Sequence, residues 1–333
     1  MTAGVDKELV LRNTVEVVTE EELDDVLKKS NPSVYCGYET SGPVHIGHMV
    51  TATKLLDLQE AGFKVRVLFA DVHTLLNRKG GEDWINDMLL YWTECFKGLG
   101  LKKAEYVRGS EFQFEKDYMT DVLELALKAT MNRALRSMQE VARDIDNARV
   151  SQVIYPLMQA VDIKALKVDV AYGGIEQRKI HMLARETLPM IDCKKPVCLH
   201  TPLLCSLQGP DSKMSSSKPE TIIAVDEEGK SIKKKIQSAY CPPETEGNPV
   251  LDICRLLLFP RKGSLKVRRP EKYGGDVEYG SYSEVEADYR GNKLHPADLK
   301  SMVASALDEV LEPVREHVRE SGVYLPAQEE NSA

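Results

Sequence analysis

An alternation of short apolar runs with long amphipathic helical patterns most constrains how this chain can fold. Val65-Arg66-Val67-Leu68-Phe69-Ala70 is almost continuously apolar, as expected of a parallel strand buried on both faces. Ser33 to Glu39, residues 104–108 and Val168 to Ala171 read as further short strands. Helical patterns lie between and after them, over 44–61, 82–98, 115–128, 131–145, 150–166 and from about Glu176 to Thr187. Thr19-x-x-Glu22 is a capping-box signature and predicts a helix running to about Lys29. Strands separated by crossovers this long pair in parallel, so an α/β fold with a doubly wound parallel sheet is predicted. Ligands would then sit at the carboxyl ends of its strands. After about residue 225 strand signals thin out and helices dominate, which predicts a domain over 1–225 and a smaller, mainly helical one over 226–333.

A length of 333 residues agrees with about two domains. No apolar run approaches the roughly 18 residues of a membrane span. Met1-Thr2-Ala3-Gly4 opens no basic-then-apolar leader, so no secretory signal is expected. Seven cysteines, at 36, 95, 193, 198, 205, 241 and 254, include no C-x-x-C pair. Free thiols in a reducing cytoplasm are expected, with no zinc site and no disulfide framework.

The net charge of −8 argues at first against a polyanionic partner. Its distribution reverses that reading. Residues 1–30 hold eight acidic and four basic side chains, and residues 307–333 hold seven and two. The ends therefore carry the whole negative excess, and the interior is near neutral. Within it, Arg255 to Lys272 places seven Lys/Arg against Glu271 alone, and Lys230 with Lys233-Lys234-Lys235 forms a second basic stretch. Each also reads as a solvated face.

Neither a P-loop nor a G-x-G-x-x-G fingerprint is present. Two other segments carry chemistry. Ser41-Gly42-Pro43-Val44-His45-Ile46-Gly47-His48 joins a predicted strand to a predicted helix. Pro43 suits a first helical turn, and Gly42 and Gly47 let a charged group approach the backbone. His45 and His48, at i and i+3, share a face with the helix N-terminus and its free N–H groups, which suits an anion. Alone, such a pair also reads as ordinary packing histidines. The second segment, Lys213-Met214-Ser215-Ser216-Ser217, sets an ammonium beside three hydroxyls in a loop. It suits charge developing on a triphosphate, or a solvated serine linker.

Together these residues resemble the HIGH and KMSKS signatures of class I aminoacyl-tRNA synthetases, the first literal and the second reading KMSSS. The resemblance sharpens to tyrosyl-tRNA synthetases of archaeal and eukaryotic type. It does so through Tyr35-Cys36-Gly37-Tyr38-Glu39, Gly109-Ser110-Glu111-Phe112-Gln113, Tyr155-Pro156-x-x-Gln159-x-x-Asp162 and Gly173-Gly174-Ile175-Glu176-Gln177-Arg178-Lys179. Arg269 to Gly275 and His295 to Lys300 extend it, so it covers roughly residues 10–320.

The resemblance implies a Rossmann-type catalytic domain, a helical anticodon-binding domain and a homodimer. The implied reaction is activation of L-tyrosine by ATP, with Mg²⁺, followed by transfer to tRNA(Tyr) and no covalent enzyme intermediate. His45, His48, Lys213 and Ser216 would be catalytic, with Gly42, Gly47, Met214, Ser215 and Ser217 completing the ATP site. Tyr35 and Asp162 would bond the substrate hydroxyl, and Tyr155, Gln159 and Gln177 its ammonium group. Gly37, Glu39, Leu68, His73 and Gln113 would complete the amino-acid site.

For tRNA, the resemblance assigns Arg136, Arg178 and Lys179 to the acceptor end, where the family reads the first base pair. It assigns Tyr273, His295 and Asp298 to the anticodon. Two plainer readings stand beside these: a buried Tyr273, and Asp298 as a helix N-cap before Leu299. Ser216 replaces the usual second lysine, which puts more weight on Lys213, the serines and Mg²⁺. Tryptophan activation, a small-molecule nucleotidyltransferase and a non-catalytic tRNA-binding paralogue are the rival readings.

Overall fold

The computed structural model describes residues 5–139, 149–212, 214 and 218–327. Six strands form the central sheet: β1 (Glu16–Val18), β2 (Ser33–Tyr38), β3 (Lys64–Phe69), β4 (Glu105–Arg108), β5 (Val170–Gly174) and β6 (Val197–Thr201). Their order is β1-β6-β5-β2-β3-β4, parallel throughout except that β1 runs antiparallel to β6. The chain steps outward from β2 to β3 and β4, then returns to lay β5 on the other side of β2. A crevice therefore opens above the carboxyl ends of β2 and β5, where the winding reverses.

The predicted apolar run is β3, with Val67, Leu68 and Phe69 buried. Thr19 and Glu22 exchange both capping-box bonds at 3.3 Å, opening the helix Glu20–Leu27. The helix predicted from residue 44 spans Ile46–Glu60, so Pro43 lies ahead of it and outside its first turn. The reason is chemical: the His45 side chain is itself the cap. The predicted strand at 168–171 is shifted to β5, and the helix predicted from Glu176 starts as one tight turn, Ile175–Gln177, before Arg178–Thr187. The helix predicted over 131–145 is Met131–Ser137, and positions 140–145 lie outside the described residues.

Beyond residue 225 the helices Gly229–Ser238, Tyr282–Arg290 and Pro296–Ser321 dominate, with a two-stranded hairpin of β7 (Leu265–Val267) and β8 (Val277–Tyr279). Pro296–Ser321 lies against Glu82–Gly98. Gly98 permits that approach, since a Cβ there would sit 3.1 Å from the Val314 Cα. His317 Nε2 also meets Glu94 Oε2 at 2.8 Å. Buried apolar residues run without a break from the sheet (Val34, Val67) through Leu257 to Val314.

Candidate active-site cleft

A cleft of ≈ 1720 Å³ opens at the carboxyl ends of β2, β3 and β5. Tyr35, Gly37 and Glu39 come from β2 and the residue after it, Leu68 from β3, and Gly173 and Gly174 from β5. His45, Gly47 and His48 line it from the start of the helix Ile46–Glu60. Met214 lines it too, while Lys213, Ser215, Ser216 and Ser217 lie outside the described residues.

The two signature histidines stack with ring centroids 3.9 Å apart. His45 Nδ1 accepts the Gly47 N–H at 3.1 Å, and His48 Nδ1 accepts the His45 N–H at 3.2 Å. Burial pushes His45 down to about 4 and holds His48 well below the usual imidazole range. Both rings are therefore neutral at pH 7, with the proton on Nε2 as each ring's remaining donor. They can bond an anion without adding charge to it. Gly47 is required by this stack, because a Cβ there would lie 2.8 Å from the His45 ring. Gly42, expected at the nucleotide, is not part of the cleft wall. It adopts φ +78°, and its carbonyl accepts the Trp92 indole N–H at 3.0 Å. Trp92 in turn sits 4.7 Å from the His48 ring.

At the other end of the cleft Asp162 is almost fully buried, and its Oδ1 accepts bonds from Gln113 Nε2 and Tyr118 OH, both at 2.8 Å. Its Oδ2 has His73 Nε2 at 4.0 Å, beyond hydrogen-bond reach. Burial raises the Asp162 carboxyl above its ordinary range, opposed by His73 and the two donors. Among the described residues the buried Tyr35 hydroxyl has no hydrogen-bond partner; the neighbouring Gln159 side chain, which eases the phenol's pKa downward, spends its amide N–H on Gln177 Oε1 at 3.1 Å. Burial first, and the Asp162 charge second, raise this phenol far above its usual range, so it stays a neutral donor. A carboxylate oxygen and a hydroxyl are thus left for a ligand. Gln113, expected at the ligand, stands fully buried behind Asp162.

Tyr155, Gln159 and Asp162 all face the cleft from the helix Val150–Ala165, as their spacing predicts. Tyr155 OH donates to Glu39 Oε1 at 2.6 Å, and Glu39 also accepts from Asn77 and pairs with Lys79. Gln177, Leu68 and His73 complete the wall. Sequence reasoning missed Tyr118, whose aromatic side chain on the inner face of the helix Lys116–Lys128 reads only as core. It also missed Glu176, inside a segment already singled out: its buried Oε2 has no hydrogen-bond partner among the described residues, and burial raises its carboxyl.

Of the residues expected at the tRNA acceptor end, Arg136 is exposed in a shallow groove with Asn132, Leu135 and Gln139. Lys179 Nζ donates to Gln139 Oε1 at 2.9 Å, and Arg178 Nε donates to Glu16. Their helices, Met131–Ser137 and Arg178–Thr187, pack together. At the far end Tyr273 is 63% exposed on the turn between β7 and β8, with Lys272 Nζ 4.8 Å from its ring centroid. His295 caps the helix Pro296–Ser321, accepting the Ala297 N–H at 3.1 Å. Asp298 lies in the first turn, 3.5 Å from Arg269 Nη1, so it is not the cap. Both plainer readings of these residues therefore fail.

Sheet topology and cleft chemistry together define an enzyme of the class I synthetase type. Residues 27–312 match the family described as tRNA synthetases class I (W and Y). The tyrosine–tRNA ligase of Methanoculleus marisnigri is 53% identical over 311 residues, covering 93% of this chain and 98% of that protein. The Methanocorpusculum labreanum ligase is also 53% identical, over 304 residues, covering 91% and 95%. The crystal structure of the tyrosyl-tRNA synthetase from Archaeoglobus fulgidus, complexed with L-tyrosine, matches with a TM-score of 0.91 at 50% identity, covering 93% and 98%. The tryptophanyl-tRNA synthetase of Aeropyrum pernix, 19% identical with a TM-score of 0.74, shares the fold. The chain belongs to the class I tRNA synthetases, and within them to the archaeal-type tyrosyl-tRNA synthetases.

Proposed function

We propose that the protein is a tyrosine–tRNA ligase, which activates L-tyrosine with ATP and transfers the tyrosyl group to the 3′ end of tRNA(Tyr). The observation that carries this reading is the Tyr35 hydroxyl, buried beside Asp162 with no hydrogen-bond partner among the described residues. A substrate phenol donates to Asp162 and accepts from Tyr35, so both buried groups are satisfied only when a hydroxyl arrives. Tyr155, Gln159 and Gln177 hold the ammonium group, with Glu39 fixing the Tyr155 phenol, and Gly37, Leu68 and His73 border the ring. The substrate carboxylate attacks the α-phosphate in line, giving tyrosyl-adenylate and pyrophosphate. Catalysis here is positioning and charge stabilisation. The neutral Nε2–H groups of His45 and His48 and the helix N-terminus meet the phosphates, together with Lys213 and Ser216, and Mg²⁺ enters with the nucleotide.

Arg136, Arg178 and Lys179 receive the acceptor end, and Tyr273, His295 and Asp298 the anticodon. The exposed Tyr273 face supports stacking on a base, and the Asp298 carboxylate accepts from base N–H groups. The residues beyond 225 would form the anticodon-binding domain. Exposed Phe114, Leu123, Leu127 and Met131 support a homodimer formed through the helix Lys116–Lys128 and the segments flanking it. No helix among the described residues is long and apolar enough to cross a membrane, and a cytoplasmic location suits free cysteines.

Amino-acid-dependent ATP–pyrophosphate exchange tests the reading. Tyrosine alone should stimulate exchange, and tRNA(Tyr) should then be charged. Stimulation by tryptophan but not tyrosine would overturn it.

A further inference from the structure

Arg178 is expected to meet tRNA, yet its surroundings reach deep into the protein. Its Nε–H points between both oxygens of Glu16, 2.8 and 2.9 Å away. Glu16 Oε2 lies 2.9 Å from His200 Nδ1, a close contact off hydrogen-bond alignment, and His200 Nε2 lies 2.9 Å from His181 Nδ1. Both histidine side chains are buried. His181 ends the chain against the cleft wall, 3.5 Å from where a Gly173 Cβ would stand.

Three separate elements build this line. Glu16 comes from the edge strand β1, directly opposite His200 of β6, and His181 comes from the helix that Arg178 opens. Burial lowers His181 to about 3, and it lowers His200 against the pull of Glu16. The two rings are thus neutral spacers, and the Glu16 carboxylate is the one anion facing Arg178 in this line. Only the Nε–H of Arg178 is used, and no further hydrogen bond from its guanidinium occurs among the described residues. Its two terminal NH₂ groups stay available at an exposed position. A carboxylate that blocked Arg178 would take that terminal edge; this one grips the stem and leaves the fork open.

We propose that Glu16 is a positioning residue for tRNA charging: backed by His200 and His181, it fixes Arg178 so that its terminal NH₂ pair meets two adjacent acceptors on the tRNA acceptor end. Those acceptors are either the O6 and N7 of a guanine or two phosphate oxygens, since both match the same fork. The short antiparallel strand at the sheet edge thereby becomes part of the tRNA site, and one acidic residue of the N-terminal stretch acquires a role beyond solubility.

The proposal rests on the protein being a tRNA-charging enzyme, and tyrosine-dependent pyrophosphate exchange without tRNA tests that reading separately. Given normal exchange, Glu16→Ala should raise the KM for tRNA(Tyr) about tenfold with kcat little changed, as expected for two directly coupled residues. Glu16→Gln, which keeps the side-chain shape, should fall between wild type and Glu16→Ala. In an Arg178→Ala background Glu16→Ala should change KM by less than about twofold, because its effect passes through Arg178. Repeating the cycle on tRNA with its first base pair exchanged separates the two sources. A smaller Glu16 effect there assigns the base edge, and an equal effect assigns phosphate. Additive losses in the double variant, or an equal fall in exchange and charging, would overturn the proposal.

Discussion

The proposed tyrosine pocket and the proposed anticodon-facing tip place similar residues in opposite settings. In the pocket, Asp162 is buried, held by Gln113 and Tyr118, and left with one oxygen for a ligand. At the tip, Asp298 is half-buried beside Arg269, and Tyr273 stands mostly in solvent. A buried polar group without its partner costs about 1–3 kcal/mol, whereas an exposed one falls back on water. The pocket therefore discriminates by what a wrong ligand leaves unmade. The tip can only gain affinity by stacking and charge.

If that contrast is right, the largest effect belongs to Asp162→Ala. It deletes the acceptor for the substrate phenol and strands the buried Gln113 donor, while Tyr118 OH keeps the Met158 carbonyl at 2.9 Å, so kcat/KM for tyrosine in pyrophosphate exchange should fall about a thousandfold. A fall under tenfold, with folding intact by circular dichroism, would break the contrast.

The histidine cap gives the next effect, on stability. His45 has a pKa of about 4 when folded against 6.5 unfolded, so the unfolded chain binds the extra proton. Its contribution is complete above pH 6.5 and is lost as pH falls toward 4, on the order of 3 kcal/mol in all. Urea unfolding at pH 7, 5.5 and 4.5 should show this slope. His45→Asn, which can still cap but does not titrate, should make the slope shallower without abolishing it, because burial also lowers His48 and His181.

At the tip, Tyr273→Ala should weaken tRNA charging through KM by about 1–3 kcal/mol and leave exchange unchanged. Smaller still is the basic face of Gly229–Ser238, where Lys230, Lys233 and Lys234 are exposed and Ile232 and Ile236 are buried. If this face meets tRNA phosphates, Lys233→Glu should reduce the salt slope of log KM for tRNA by about 0.7–0.9. An unchanged slope would mark it as a solvated face.

Much of this was legible in the sequence, for physical reasons. Apolar continuity identified β3, side-chain caps identified the helix after Thr19, and i, i+4, i+7 spacing gathered Tyr155, Gln159 and Asp162. Strands β1 and β6 escaped because β1 is only three residues at an edge, and Val197–Thr201 is a short run between Pro196 and Pro202. The start of the helix Ile46–Glu60 was misplaced because histidine is an uncommon cap. Tyr118 and Glu16 act through other side chains across the fold, and local pattern carries no trace of such contacts; the resemblance names Gln113, but not its place behind Asp162.

The central claim is that a buried hydroxyl–carboxylate pair selects the phenol. The direct measurement is the ratio of kcat/KM for tyrosine over phenylalanine in pyrophosphate exchange, in wild type and in Tyr35→Phe. Wild type should favour tyrosine by at least about a hundredfold, since phenylalanine strands two buried groups. Tyr35→Phe should cut the ratio about tenfold or more, mainly by slowing tyrosine. A ratio left unchanged by Tyr35→Phe would contradict the account.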